Sequence, residues 1–74
     1  MRKRSVALNG HSTSVSLEDE FWSELRRMAG EQDLPLAALI AQVDERRSGA
    51  NLSSALRLAV LADIKSGPTE RAKE

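Results

Sequence analysis

Asn9-Gly10 stands between two stretches whose side chains alternate in polarity, and this arrangement leaves the start of the chain few ways to fold. Both central residues of a tight type I′ turn need positive φ, which Asn and Gly tolerate best. Downstream, in His11-Ser12-Thr13-Ser14-Val15-Ser16-Leu17, Thr13, Val15 and Leu17 share one face and Ser12, Ser14 and Ser16 the other. Such alternation, β-branched on one side, reads as a half-buried strand. Upstream, Val6 and Leu8 of Ser5-Val6-Ala7-Leu8 fall together. A two-residue hairpin sets Leu8 opposite His11, Val6 opposite Thr13 and Arg4 opposite Val15, so the two apolar faces coincide.

At Glu18 the period changes. Phe21, Trp22, Leu25, Met28 and Ala29 recur at helical spacing with Glu24, Arg26, Arg27 and Glu31 opposite, which predicts a helix over about 19–31. Ser16 or Glu18 can cap it, Glu18, Asp19 and Glu20 suit the positive end of its dipole, and Leu17 can staple back onto Phe21 or Trp22. Asp33-Leu34-Pro35 marks a break and a restart, with Asp33 as a cap and Pro35 in a first turn that needs no N–H. Leu36, Leu39, Ile40 and Val43 form the stripe of a second helix running to about Arg47, with Gly49 as a left-handed stop. Asn51 caps a third helix, lined on one face by Leu52, Ala55, Leu56, Ala59, Val60 and Ile64. Leu58, Leu61 and Ala62 add apolar area off that face, and Lys65-Ser66-Gly67-Pro68 is the expected end. The chain divides into a basic arm at 1–10, a domain at 11–65 and a flexible tail at 66–74.

With 74 residues and no cysteine, the chain can form at most one small domain, without disulfide support. A lone histidine, His11, cannot build a multi-histidine metal site, so no metal or cofactor is expected. Leu58, Leu61, Val60 and the Trp22 stripe exceed what one chain of this size covers, which points to an obligate homodimer. The formal charge is zero but unevenly spread. Residues 1–17 carry Arg2, Lys3 and Arg4 and no acid, for +3, while residues 18–74 carry eight basic and eleven acidic side chains, for −3. No apolar run approaches the ~20 residues of a spanning helix, nor has the start the apolar run of a signal peptide; the expected location is the cytoplasm.

The order of these elements resembles the ribbon-helix-helix family. Ser12 to Trp22, followed by Leu34-Pro35-Leu36-Ala37-Ala38-Leu39-Ile40, is similar to its strand and helices, and Asn51-Leu52-Ser53-Ser54-Ala55-Leu56-Arg57 looks like the additional helix of a branch of small bacterial proteins. The resemblance spans about residues 11–64 and rests on order and spacing. It implies a mainly α fold with a short β ribbon, in which two chains pair their strands into one antiparallel ribbon above intertwined helices. That ribbon enters the DNA major groove, and the N-terminus of the second helix holds a backbone phosphate. Carried over, Ser12, Ser14 and Ser16 face the bases, the turn from Asp33 to Leu36, with Leu34 and Leu36, holds phosphate, and Arg2, Lys3 and Arg4 add phosphate contacts.

The residues also temper that reading. Serine hydroxyls donate to or accept from almost any base, so a serine ribbon discriminates poorly. Pro35 removes an N–H at the phosphate turn and Asp33 brings negative charge to it. Trp22 reads as core, His11 as an exposed turn flank, and Arg46, Arg47 and Arg57 as solvated or ion-paired. No residue pattern supplies a nucleophile with its base, nor a glycine-rich phosphate loop, so no enzyme is expected. Two functions remain: a dimeric DNA-binding transcription regulator, or a dimeric protein-interaction adaptor that keeps the fold without specific DNA binding. The start of the chain separates two further pictures. Either residues 5–8 pair with 11–16, which in a dimer makes a sheet of four strands, or residues 1–9 stay unpaired and wrap phosphate when bound.

Overall fold

A computed structural model describes residues 1–47, 49 and 51–73, of which residues 67–73 are described by their backbone. The hairpin is formed. Strand β1 (Arg2–Leu8) runs antiparallel to β2 (His11–Leu17), with Leu8 opposite His11, Val6 opposite Thr13, Arg4 opposite Val15 and Arg2 opposite Leu17. Asn9 and Gly10 take φ of 52° and 81°, the left-handed pair that this turn demands. Three helices follow: α1 (Asp19–Glu31), α2 (Leu36–Arg46) and α3 (Leu52–Lys73). The inner face of the two-stranded sheet lies on them, β1 against α2 and β2 against α3. None of the helices is long and apolar enough to cross a membrane among the described residues.

The core lies where the alternating and helical stripes meet. Val15 and Leu17 of the sheet, Trp22, Leu25, Met28 and Ala29 of α1, Leu39 and Ile40 of α2, and Leu52, Leu56 and Val60 of α3 are all buried, with Leu8 closing the turn end. No buried side-chain nitrogen or oxygen lacks a partner among the described residues. Trp22 is 1% exposed and Val60 1% within the single chain. The expectation that both need a second subunit is therefore corrected, because the hairpin covers the Trp22 stripe and α1 and α2 cover Val60. Leu58, Leu61 and Ile64 are left at 62%, 50% and 49% exposure. Ile64, expected on the core face of α3, lies instead beside the polar flank of α1 at Asp19, Glu20, Ser23 and Glu24. The accessible surface of 5027 Å² is close to the roughly 4,500 Å² expected of a self-contained protein of this mass. One chain closes its own core.

Asp33 has a different job from the one expected. It sits at φ 60° just past α1, its N–H donates to the Gly30 carbonyl at 3.1 Å, and the Leu34 N–H reaches back to Ala29 at 2.8 Å. This pair of bonds is a Schellman closure, in which a left-handed residue usually filled by Gly is here an Asp. Pro35, in extended conformation, is the N-cap of α2 and makes no side-chain cap bond. Asn51 behaves as expected: its Oδ1 accepts from the Ser54 N–H at 2.8 Å. Helix α3 runs past the predicted stop at Lys65–Pro68 to Lys73. Pro68 there costs the ladder the one bond its N–H would give to Ile64, while the bonds on either side keep the helix propagating. The flexible tail expected at 66–74 thus falls on the described helical backbone as far as Lys73, and Glu74 lies outside the described residues.

The inside–outside assignment of β2 has a direct test. Val15, 2% exposed, faces the helices, so Val15→Asp buries an unpaired charge and is expected to cost several kcal/mol, most of the stability of so small a domain. Ser14→Asp on the open face should melt within about 0.5 kcal/mol of the parent. Circular dichroism melts of the two variants check this, and equal damage from both would overturn the inside–outside assignment.

Candidate nucleic-acid interface

The register builds one continuous outer face from both strands. Lys3 stands opposite Ser16, Ser5 opposite Ser14 and Ala7 opposite Ser12. Side chains on a strand alternate between faces, so these six point away from the helices, and all are exposed except half-buried Ser16. The face is hydroxyl-rich and carries one cation, Lys3. Ser5 joins it only because the hairpin forms, and the Asn9-Gly10 register was the signal that could have found it.

Alternation splits the basic arm. Lys3 points outward, but Arg2 and Arg4 fall on the helix side, beside Leu17 and Val15. Arg2 Nε donates to Asp19 Oδ1 at 2.8 Å, and the Arg4 guanidinium lies 5.6 Å from the centre of the Trp22 ring. The indole Nε1–H of Trp22 donates to the Arg2 carbonyl at 2.9 Å. The start of β1 is thus fastened to α1, and each fastening falls on a cationic residue. The hydrogen bond from Arg2 and its nearby positive charge hold the Asp19 carboxyl below its usual range. That exposed pair exists at neutral pH and is lost as pH falls through the lowered range of Asp19.

The phosphate turn is only partly in place. The Leu34 N–H is spent on Ala29 and cannot reach a ligand. The Pro35 carbonyl receives Ala38 and Leu39, which leaves the N–H groups of Leu36 and Ala37 at the open head of α2, with exposed Asp33 nearby. Beside Ser14 and Ser16 lies an open depression of about 500 Å³ that also touches Arg47, Arg57, Ser53 and Ser54. Both arginines are engaged. Arg57 Nε donates to Glu18 at 3.1 Å and its guanidinium lies 5.8 Å from the Phe21 ring, while Arg47 pairs with Asp44. A bond from its own backbone N–H, followed by Arg57, holds the Glu18 carboxyl below its usual range. Sequence reading expected ion-paired arginines here, but their nearness to the serine strand comes from tertiary packing alone.

A sheet presenting small polar side chains above three helices is one of few ways to display a β ribbon. A family model described as a ribbon-helix-helix domain matches residues 1–64. The chain belongs to the ribbon-helix-helix family. No curated protein and no solved structure matches it. The match takes in β1, so the hairpin strand lies inside the family region rather than ahead of it. Ribbon-helix-helix domains generally form dimers that bind DNA, and typically serve as regulators.

The role of Trp22 in holding β1 is testable in this ribbon-helix-helix chain. Trp22→Phe keeps an aromatic ring in the core but removes the donor to Arg2, at an expected cost of about 1–3 kcal/mol from the missing bond and the void. Amide exchange at residues 2–4 should accelerate more than exchange in α1, and unchanged protection there would refute the tether.

Proposed function

We propose that this protein is a homodimeric bacterial transcription regulator, located in the cytoplasm, that binds double-stranded DNA through its serine-bearing ribbon. The observation that carries the reading is an exposed ribbon face of Ser12, Ser14 and Ser16 with Lys3 beside it, in a ribbon-helix-helix domain. Ser12, Ser14 and Ser16 meet base edges in the major groove, and Arg2, Lys3 and Arg4 contact phosphates. The N–H of Leu36 faces a phosphate at the head of α2, with Leu34 shaping the turn. Because hydroxyls discriminate weakly, a large share of affinity comes from phosphate contacts and is salt-dependent. No cofactor enters this function. The working parts are a basic arm at 1–10, a domain at 11–65 and a tail at 66–74.

Homodimerisation draws support from the edge of β2 that β1 leaves unpaired and from the stripe of Leu58, Leu61 and Ile64 on α3. Dilution should lower the melting temperature, as mass action requires for a folded dimer. A concentration-independent melt with a monomeric mass by light scattering would remove the dimer from the proposal.

Titration of genomic DNA fragments at about 50 and about 200 mM salt tests the function itself. Affinity should fall steeply between the two, and deleting residues 2–4 should flatten the log–log slope by about 0.9 for each phosphate left without its cation. The alternative, a dimeric protein-interaction adaptor, is favoured by the formed hairpin, which broadens the ribbon. No binding of any fragment at low salt would overturn the regulator and favour the adaptor.

A further inference from the structure

We infer that β1 is a built-in latch on DNA binding: closed against β2 and Trp22, it makes the dimer's ribbon too broad for the groove, and its release frees the arginines that then grip phosphate. The inference rests on the DNA-binding reading above and adds its regulation.

In the two-residue hairpin, Leu8 and His11 exchange backbone bonds, and so does every second pair beyond them. The odd-numbered residues of β2 are therefore bonded to β1, and Ser12, Ser14 and Ser16 direct their N–H and C=O groups toward the free edge. That edge is the one a second copy can pair with while keeping all the serines on one outer face. The result is a sheet in the order β1, β2, β2 of the second copy, β1 of the second copy. At roughly 4.8 Å per strand its outer backbones stand about 14 Å apart. The B-DNA major groove is about 12 Å wide. Two strands enter; four do not lie flat in it.

What closes β1 is also what the DNA needs. Arg2 is engaged with Asp19 at 2.8 Å and Arg4 lies over Trp22, both on the helix side of the sheet, away from any ligand on the serine face. Trp22 Nε1–H holds the Arg2 carbonyl, and Leu8 is buried at the turn end. When β1 lifts, Arg2 exchanges a carboxylate for a phosphate, Arg4 leaves the ring, and the remaining β2 pair has the width of a groove-binding ribbon. Apparent affinity is the intrinsic affinity scaled by the fraction of open molecules. A change that stabilises closure weakens DNA binding, and one that strains the hairpin strengthens it.

The full chain permits a covalent test because it contains no cysteine. Ala7 and Ser12 are directly opposed on the outer face, in the closely spaced non-hydrogen-bonded type of pair that a disulfide can bridge. In the double variant Ala7→Cys with Ser12→Cys, the oxidised and reduced forms present the same atoms except two hydrogens. Oxidation locks the hairpin. DNA affinity of the oxidised form is expected to be at least about tenfold weaker than that of the reduced form and to return on reduction. Gly10→Val makes the opposite change. At φ +81° a β-branched residue strains the turn, while its Cβ meets nothing within 4 Å, so the effect is confined to the hairpin. Binding about tenfold tighter than wild type is expected, with the helical circular dichroism signal retained. Equal affinity of the oxidised and reduced forms overturns the latch and leaves the regulator standing. No binding by wild type at low salt overturns the DNA-binding reading and the latch together.

Discussion

The indole of Trp22 joins the sheet to the helices, and the start of the first strand depends on it for its place. Its body fills the centre of the core, its Nε1–H reaches the backbone of the first strand, and its face carries the Arg4 guanidinium. A buried Trp needs a partner for its N–H, because leaving the donor unpaired costs about 1–3 kcal/mol. Here the partner is a main-chain carbonyl at the far end of an edge strand. An isolated two-stranded hairpin is marginal at best in water. This one persists because Val15, Leu17 and Leu8 lie on the helices and Trp22 fixes the end farthest from the turn.

Charge completes the joint from outside the core. Arg27 of α1 donates to Glu24, Glu31 and, at 2.7 Å, to Asp63 of α3, so its guanidinium stays charged more firmly than an ordinary arginine. Arg57 of α3 reaches back to Glu18 at the start of α1. The two bridges cross between the same helices at separate points, which sets the relative orientation of α1 and α3. As partly exposed pairs they add little stability; their value lies in geometry. They also account for the engaged state of Arg57, which lines the depression beside Ser14 and Ser16 yet is not a free cation there.

Legibility in the sequence followed how local each signal is. The hairpin register was readable because Asn9-Gly10 and two matched alternations specify it redundantly, and the bounds of α1 because a period change, acidic first turn and stripe coincide. Asp33 was misplaced because a residue between two helices can cap the second or close the first, and the Leu34 N–H decided for the first by reaching Ala29. The stop of α3 was misplaced because Gly67-Pro68 weakens a helix without forbidding one. Ile64 follows the core periodicity of α3, but it lies beside the polar flank of α1 at Asp19, Glu20, Ser23 and Glu24 and stays half exposed, and chain pattern says nothing about which face a neighbour presents. The serine face was legible as a face. Its surroundings, Arg47, Arg57 and the commitments of Arg2 and Arg4, arise from contacts between distant residues.

The split of the basic arm carries the largest functional consequence. Three consecutive cations read as one patch, and a disordered arm would present all three to phosphate. On a strand they cannot act together, because neighbours point to opposite faces. Once residues 2–4 join the sheet, Lys3 alone remains on the serine side, and the +3 charge of the first seventeen residues is a poor guide to the field a ligand meets there. Whether this ribbon is strongly or weakly cationic is therefore a property of conformation rather than composition. The family fold supplies the platform, and the pairing of one short strand sets how much positive charge that platform presents on its outer face.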